Sequence, residues 1–219
     1  MGRMQLGVLV SGSGSNLQAI LDASSSGSIP VDVRLVISNK PAVLALERAR
    51  SARVPSLVLS HKRFADREAF ETELIEALRQ HEVEWVALAG FMRVLTPLFL
   101  RAFPSRVVNI HPALLPSFPG VHAQRQALEY GVKLAGCTVH FVDEGTDTGP
   151  VIAQAAVPVL DGDTEATLAA RILEQEHRLF PQAIQWIAQG RLSLQGRRVH
   201  LDGATPPPER LRSPAVELA

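Results

Sequence analysis

Short apolar runs alternate with longer amphipathic stretches over the first half of the chain, and this alternation limits the possible folds more than any other sequence feature. Five apolar runs predict β-strands, at Gln5–Ser11, Val31–Ser38, Ser56–Leu59, Trp85–Ala89 and Arg106–His111. Helices are predicted between them, at Asn16–Ser25, Ala42–Ala52, Asp66–His81 and Pro97–Ala102. Strands that alternate with helices are typical of a parallel sheet with crossover helices.

The second half of the sequence departs from that pattern. A short helix is predicted at Ala123–Tyr130, followed by an antiparallel pair of strands at Leu134–Val142 and Pro150–Val159. A long helix is predicted at Thr164–Gln189, with Asp163 or Thr164 as its N-cap. We therefore expect a single-domain α/β fold with a mostly parallel twisted sheet, helices on both faces and an antiparallel C-terminal part. Residues 202–219 include three consecutive prolines and no hydrophobic period, and they are predicted to form a mobile tail.

Composition indicates a small ligand and an intracellular setting. The 22 Lys and Arg residues balance the 22 Asp and Glu residues, so the overall charge does not favour a nucleic acid partner. No uninterrupted apolar run is long enough to cross a bilayer, and no membrane partner is expected. The single cysteine, Cys137, excludes an internal disulfide and favours a reducing, cytoplasmic location. Cys137 is predicted to be a buried strand residue, with a reactive thiol as the alternative.

Two polar residues stand at the end of the fifth predicted strand. Side chains alternate along a strand, so Asn109 and His111 are expected on one face, beside each other, where the strand stops. The loop that follows, residues 112–120, contains three prolines and ends in glycine, which limits its backbone freedom. An amide donor and a titratable imidazole held in this way suit acyl transfer, in which a developing oxyanion needs donors placed in advance.

The acidic loop, Asp143–Gly149, follows a strand that could bring it near His111. Asp147 and the imidazole could then form a couple that manages protons near neutral pH. Asp147 could equally be an ordinary turn residue before Gly149. His140 on the preceding strand is either a further site residue or an outward-facing one.

The glycine loop, Ser11–Asn16, joins the first predicted strand to the first helix, where an α/β sheet can bind an anion. Leu17 replaces the third glycine of a dinucleotide fingerprint, and no lysine is present as a nucleoside triphosphate loop would require. The loop is predicted to hold one phosphate, with a turn that binds nothing as the alternative.

The histidines show no metal-ligand spacing, so no metal is expected. No nucleophile elbow occurs, which favours direct transfer over covalent catalysis.

Four segments together resemble the phosphoribosylglycinamide formyltransferases of purine biosynthesis: 9–20, 88–93, 109–116 and 146–150. The resemblance extends from about residue 5 to about residue 203. It implies transfer of the formyl group of 10-formyltetrahydrofolate, as co-substrate, to the amine of 5-phosphoribosylglycinamide. The products would be formylglycinamide ribonucleotide and tetrahydrofolate. Thr148 stands where some relatives carry glycine, and it is expected to stiffen the acidic loop.

The resemblance also implies roles for individual residues. The catalytic residues would be Asn109, His111 and Asp147. The ribonucleotide would contact Gly14, Ser15, Asn16 and Glu176. The folate would contact Arg67, Met92, Arg93, Val94, Leu95 and Asn109, together with Asp143, Glu144, Gly145, Thr146 and Asp147. The expected organisation is a catalytic domain at 1–201, with a phosphate-binding half at about 1–105 and a folate and catalytic half at about 106–201.

Two other enzymes that act on formyl groups and one non-catalytic module are the alternatives to this function. A formyltetrahydrofolate deformylase and a methionyl-tRNA formyltransferase share the Asn-x-His and aspartate pattern, but each is expected to carry an additional domain. A nucleotide-binding module without activity would leave the joint presence of Asn109, His111 and Asp147 unexplained. The partners expected for the transferase are its small-molecule substrates, and the expected assembly is a monomer or a homodimer.

Overall fold

The computed structural model describes residues 2–205 and 213. Its first half contains five strands, β1 (Met4–Val10), β2 (Val31–Ser38), β3 (Ser56–Val58), β4 (Trp85–Leu88) and β5 (Val107–His111). The helices between them are α1 (Ser15–Ser25), α2 (Leu44–Ser51), α3 (Arg67–Gln80) and α4 (Pro97–Ala102), with a 3-10 turn at His61–Arg63. Every element predicted here is present, with ends displaced by no more than two residues.

The second half adds α5 (Ala123–Tyr130), β6 (Leu134–Phe141), β7 (Val151–Pro158), α6 (Glu165–Ala188), β8 (Leu192–Gln195) and β9 (Arg198–Leu201). Seven strands form one sheet in the order β3-β2-β1-β4-β5-β6-β7. Strands β1 to β5 are parallel, whereas β6 and β7 pair antiparallel. The predicted fold class is therefore confirmed. Of the two N-cap candidates for α6, Thr164 caps the helix by accepting a hydrogen bond from the Thr167 backbone.

The hairpin of β8 and β9 was not predicted from the sequence. Its two strands pair antiparallel around a turn at Gly196 and Arg197. The predicted mobile tail begins at Asp202, just after β9, and most of it (206–212 and 214–219) lies outside the described residues. The domain boundary at residue 201 stays a prediction.

The sheet is covered on both faces because side chains of β1 alternate between two cores. Val8 packs with Leu17 of α1 and Ile184 of α6 on one face. Leu9, the next residue, packs with Phe70 of α3 on the other. No helix in residues 2–205 is both long enough and apolar enough to cross a membrane.

Strand β6 runs through the tightly packed centre of the antiparallel part. Cys137 is fully buried there, and burial, aided by the nearby Glu176 carboxylate, raises the pKa of its thiol to about 12. The thiol is therefore an inert core group, as the sequence predicted, and the reactive-thiol alternative is wrong.

Gly136 of β6 leaves no room for a side chain. A Cβ atom at this position would lie 2.0 Å from the carbonyl oxygen of Ala155 and 2.8 Å from Leu114 Cδ2. We expect Gly136→Ala to lower the free energy of unfolding by about 2 kcal/mol, since overpacking a core displaces its surroundings. Urea unfolding measures the change. Gly162→Ala is the matched control because no atom lies within 4 Å of its added Cβ. Equal stability of the two variants would contradict this account.

Candidate active site

Strand pairing brings two histidines and an asparagine together at the end of β5. Asn109 and His111 lie on the same face of β5, and His111 is buried. Strand β6 runs antiparallel to β5 in a register that places His140 opposite Asn109. His140 is also buried. His140 is therefore a further site residue and not an outward-facing one. Its side chain forms one polar cluster with those of Asn109 and His111.

The acidic loop brings Asp147 into this cluster. Asp147 Oδ2 lies 3.3 Å from His111 Nδ1 and accepts a hydrogen bond of 2.8 Å from the backbone N–H of Gly120. Its Oδ1 lies 3.4 Å from Asn109 Nδ2 and 3.7 Å from His140 Nε2. The structure thus brings together the three residues predicted to be catalytic, although 38 positions separate Asn109 from Asp147.

His111 lies between two acceptors. Its Nε2 is 2.9 Å from the carbonyl oxygen of Phe118, and its Nδ1 faces the Asp147 carboxylate. Both ring nitrogens must donate to satisfy both acceptors, which only the protonated imidazole can do. A substrate oxygen that reaches Nε2 has to displace the Phe118 carbonyl.

His140 orients the amide of Asn109. Its Nδ1 donates to the backbone carbonyl of Phe141 at 2.8 Å, which leaves Nε2 of the neutral ring to accept from Asn109 Nδ2 at 3.1 Å. One amide N–H of Asn109 is thereby occupied. The other N–H makes only the long contact with Asp147 and is available to a ligand.

The carboxyl group of Asp147 is held in its charged form. Burial raises its pKa, but the polar contact with His140, the hydrogen bond from the Gly120 backbone and the nearby charge of His111 outweigh burial and lower the pKa below its ordinary value. The backbone of Asp147 adopts a left-handed conformation with φ of 56°. Residues with a side chain adopt that conformation infrequently, and such positions concentrate at functional sites.

A cleft of 530 Å³ opens beside the cluster. That volume lies within the range of about 300–1,000 Å³ usual for small-molecule sites. Its lining includes Met92, Arg93, Val94, Leu95, Asn109, His111, His140, Asp143, Gly145, Thr146 and Asp147. Most residues predicted to contact folate therefore share one cleft. The exceptions are Glu144, an exposed loop residue, and Arg67, an exposed residue at the start of α3, neither of which lines it.

The glycine loop leaves the N-terminus of α1 open to an anion. Helix α1 begins after Gly14 without a side-chain cap and without an acidic residue in its first turn, so its first N–H groups lack side-chain acceptors. Gly14 has φ of 69° and is pressed against Ala45 of α2. The half-buried Arg48 donates to the carbonyl of Ser13 at 2.9 Å, which adds positive charge behind the loop.

Glu176 reaches the glycine loop from α6. Its buried Oε2 accepts a hydrogen bond of 2.6 Å from Asn16 Nδ2, across 160 positions of sequence. Burial raises the pKa of Glu176, with the Asn16 hydrogen bond acting in the opposite direction. Asn16 Oδ1 is buried and has no hydrogen-bond partner among the described residues. The residues predicted to contact the ribonucleotide therefore lie together, with an acceptor that a ligand hydroxyl could satisfy.

One hydroxyl joins the glycine loop to the cleft. Ser11 Oγ donates to Asn39 Oδ1 at 2.7 Å and accepts from the backbone N–H of Met92 at 2.9 Å. Ser11 follows β1, Asn39 follows β2, and Met92 lies after β4, so three strand ends meet at this oxygen. In the described part of the chain, no three His, Cys, Asp or Glu side chains are grouped to hold a metal ion.

This fold and site define an α/β enzyme with an acid–base cluster suited to group transfer and a glycine loop whose helix N-terminus is open to an anion. Residues 4–184 match the family model described as formyl transferase. The chain therefore belongs to the formyl transferase family.

Individual relatives agree with that assignment. The chain is 47% identical over 206 residues to the phosphoribosylglycinamide formyltransferase of Escherichia coli, covering 94% of this chain and 97% of that protein. A solved structure of glycinamide ribonucleotide transformylase 1 from Symbiobacterium toebii is 54% identical, with a TM-score of 0.90 over 91% of this chain and 94% of that one.

The chain is also similar to part of a larger protein. It is 55% identical over 190 residues to the trifunctional purine biosynthetic protein adenosine-3 of Drosophila melanogaster. The match covers 86% of this chain but spans only 14% of that protein.

Proposed function

We propose that this chain transfers the formyl group of 10-formyltetrahydrofolate to the amine of 5-phosphoribosylglycinamide, a step of purine biosynthesis. The observation that carries the proposal is the close grouping of Asn109, His111 and Asp147 beside a cleft, with the glycine loop and Glu176 nearby. Family membership supports formyl transfer, and the similarity to the Escherichia coli enzyme along nearly its whole length supports this acceptor.

The reaction begins with attack of the acceptor amine on the formyl carbon. A carbon–nitrogen bond forms, and the formyl oxygen of the tetrahedral intermediate becomes negatively charged. That oxygen takes the place of the Phe118 carbonyl at His111 Nε2 and also receives the available N–H of Asn109. The N–H of Asn109 is positioned before the reaction, whereas the Phe118 carbonyl has to leave His111 Nε2 before that second donor can act on the developing charge.

Collapse of the intermediate breaks the bond between the formyl carbon and the folate nitrogen. The attacking amine loses a proton and the departing folate nitrogen gains one, so the overall transfer is balanced. Asp147 Oδ2 lies 3.3 Å from His111 Nδ1 and stabilises the imidazolium. Asp147 also helps to transfer the proton from the amine to the folate nitrogen, directly or through a water. No covalent enzyme intermediate is required.

The two substrates occupy neighbouring regions in this proposal. The phosphate of the ribonucleotide binds the open N-terminus of α1, where N–H groups, the helix dipole and Arg48 favour an anion. The pteridine ring enters the cleft lined by Met92 to Leu95 and the acidic loop. The predicted folate contact of Arg67 and the ribonucleotide contact of Glu176 remain proposals.

A spectrophotometric folate assay tests the function. Loss of the formyl group that depends on added 5-phosphoribosylglycinamide is expected. Loss at an equal rate without the acceptor would identify a deformylase instead. No loss of the formyl group under either condition would refute formyl transfer. It would favour a nucleotide-binding module without activity. The cytoplasmic location and the monomeric or homodimeric state stay predictions.

The glycine loop gives a separate test of the ribonucleotide subsite. We expect Gly14→Ala to raise the KM for the ribonucleotide about tenfold, the size expected when one or two hydrogen bonds to a charged group are displaced. The added Cβ would lie 2.6 Å from Ala45 Cβ, and the backbone would keep a strained φ of 69°. Steady-state kinetics with each substrate varied in turn measures the effect.

Gly162→Ala is the control for Gly14→Ala. Gly162 lies outside the glycine loop, and no atom lies within 4 Å of its added Cβ. Its kinetic constants are expected to stay close to wild type. A Gly14→Ala effect confined to the KM for folate would contradict the assignment of the loop.

A further inference from the structure

Arg197, in the turn between β8 and β9, reaches back to the acidic loop. Its Nη2 donates a hydrogen bond of 2.6 Å to the carbonyl oxygen of Thr148. Thr148 directly follows Asp147, whereas Arg197 is 49 positions further along the chain. The proposed mechanism gives this hairpin no part, so the contact calls for a separate explanation.

The acidic loop is also held by hydrogen bonds between its own residues and by close packing at its last residue. Asp143 Oδ1 accepts hydrogen bonds from Thr148 Oγ1 at 2.6 Å and from the Gly145 backbone at 3.2 Å. A Cβ at Gly149 would lie 1.8 Å from the carbonyl oxygen of Phe141, so the loop exit is pressed against β6. Between these points Asp147 keeps its left-handed backbone, which needs support from its surroundings.

The hairpin is itself fixed to the body of the protein. Strand β9 lies beside β7, and Val199 packs against the core on the face of α1 and α6. At the base of the hairpin, the guanidinium of Arg191 donates to the backbone carbonyl of Asp202 at 2.6 and 2.9 Å. Arg197 therefore connects the acidic loop to an anchored element.

We propose that Arg197 is a positioning residue for the transfer reaction, which fixes the Thr148 carbonyl and so holds Asp147 beside His111. This inference rests on the proposed function. The guanidinium contacts a backbone carbonyl, so it acts on the reaction only through the acidic loop. A carbonyl oxygen needs a single N–H donor, and lysine can supply one.

Two measurements on the full chain test the proposal. Arg197→Ala is expected to lower kcat about tenfold, the lower end of the effect of a hydrogen bond from a charged donor. The KM for the ribonucleotide and the melting temperature should stay at wild-type values, a split that a general loss of stability would not produce. Hydrogen–deuterium exchange of residues 143–149 should rise. Arg197→Lys is expected to recover most of the kcat and of the protection.

Arg198→Ala is the control, because Arg198 is the next residue and is also exposed. Its kcat and exchange are expected to match wild type. The proposal is overturned if Arg197→Ala leaves exchange of the acidic loop unchanged, if lysine restores nothing, or if Arg198→Ala has an equal effect. A wild-type chain without acceptor-dependent transfer would refute the proposed function, and the exchange data would then still decide whether Arg197 holds the loop.

Discussion

Replacing His111 by alanine is expected to lower kcat by about a hundredfold or more, since loss of one oxyanion donor commonly has an effect of that size. The buried ring lies between the Phe118 carbonyl and the Asp147 carboxylate, and the protonated form satisfies both. Alanine removes the donor at Nε2 and leaves the carboxylate without its imidazolium. The KM values should change much less than kcat, because the donor acts on charge that develops only in the transition state.

Rapid-quench kinetics with both substrates saturating measures this effect, and circular dichroism checks that the variant is folded. His81→Ala is a suitable control because His81 lies at the end of α3, where its Nδ1 contacts the Ala77 carbonyl. Its turnover should be that of wild type. An unchanged kcat in His111→Ala would remove His111 from the chemistry.

Asp147→Asn is expected to reduce kcat by a similar factor, about a hundredfold, because the neutral amide cannot stabilise the imidazolium. The substitution keeps the shape of the side chain and an acceptor for the Gly120 N–H. Asp161→Asn removes a charge at an exposed surface position and serves as the control. A kcat of Asp147→Asn within twofold of wild type would rule out this role.

Wild type and Asp147→Asn can also be compared at different pH values. The folded-state pKa of Asp147 is lowered, so its charged form contributes stability that is present above the unfolded-state pKa, which is about 3.9 for aspartate. That contribution is lost as the pH falls through the folded-state pKa. The difference in unfolding free energy between wild type and Asp147→Asn should therefore be largest near neutral pH and shrink below about pH 4. A difference that grows on acidification would contradict the sign.

Most of the fold could be predicted from the sequence because its signals are local. Short apolar runs indicated the strands, and helical spacing such as that of Phe70, Leu74 and Leu78 indicated the helices. The hairpin of β8 and β9 was missed although a signal was present. Leu192 and Leu194 alternate with polar residues before a glycine turn, but strands of four residues are too short for a periodic pattern to stand out.

The candidate site was predictable only as far as local geometry extends. The alternation of a strand places Asn109 and His111 on one face without knowledge of the fold. The position of His140 depended on which residue of β5 it faces, and that register is set by packing between strands. The contacts of Phe118, Gly120 and Arg197 involve backbone groups, which leave no mark on the sequence.

The Ser11 hydroxyl has a consequence for how the two reactants are presented to one another. It has a single proton, which is donated to Asn39, and it receives the Met92 amide on a lone pair, so its rotation is fixed by both partners. The glycine loop, proposed to hold the sugar phosphate, and the cleft wall at Met92, proposed to face the pteridine, are thus tied to one oxygen atom. In the proposed reaction this link would make the three strand ends that meet at Ser11 help to set the distance between the amine and the formyl carbon.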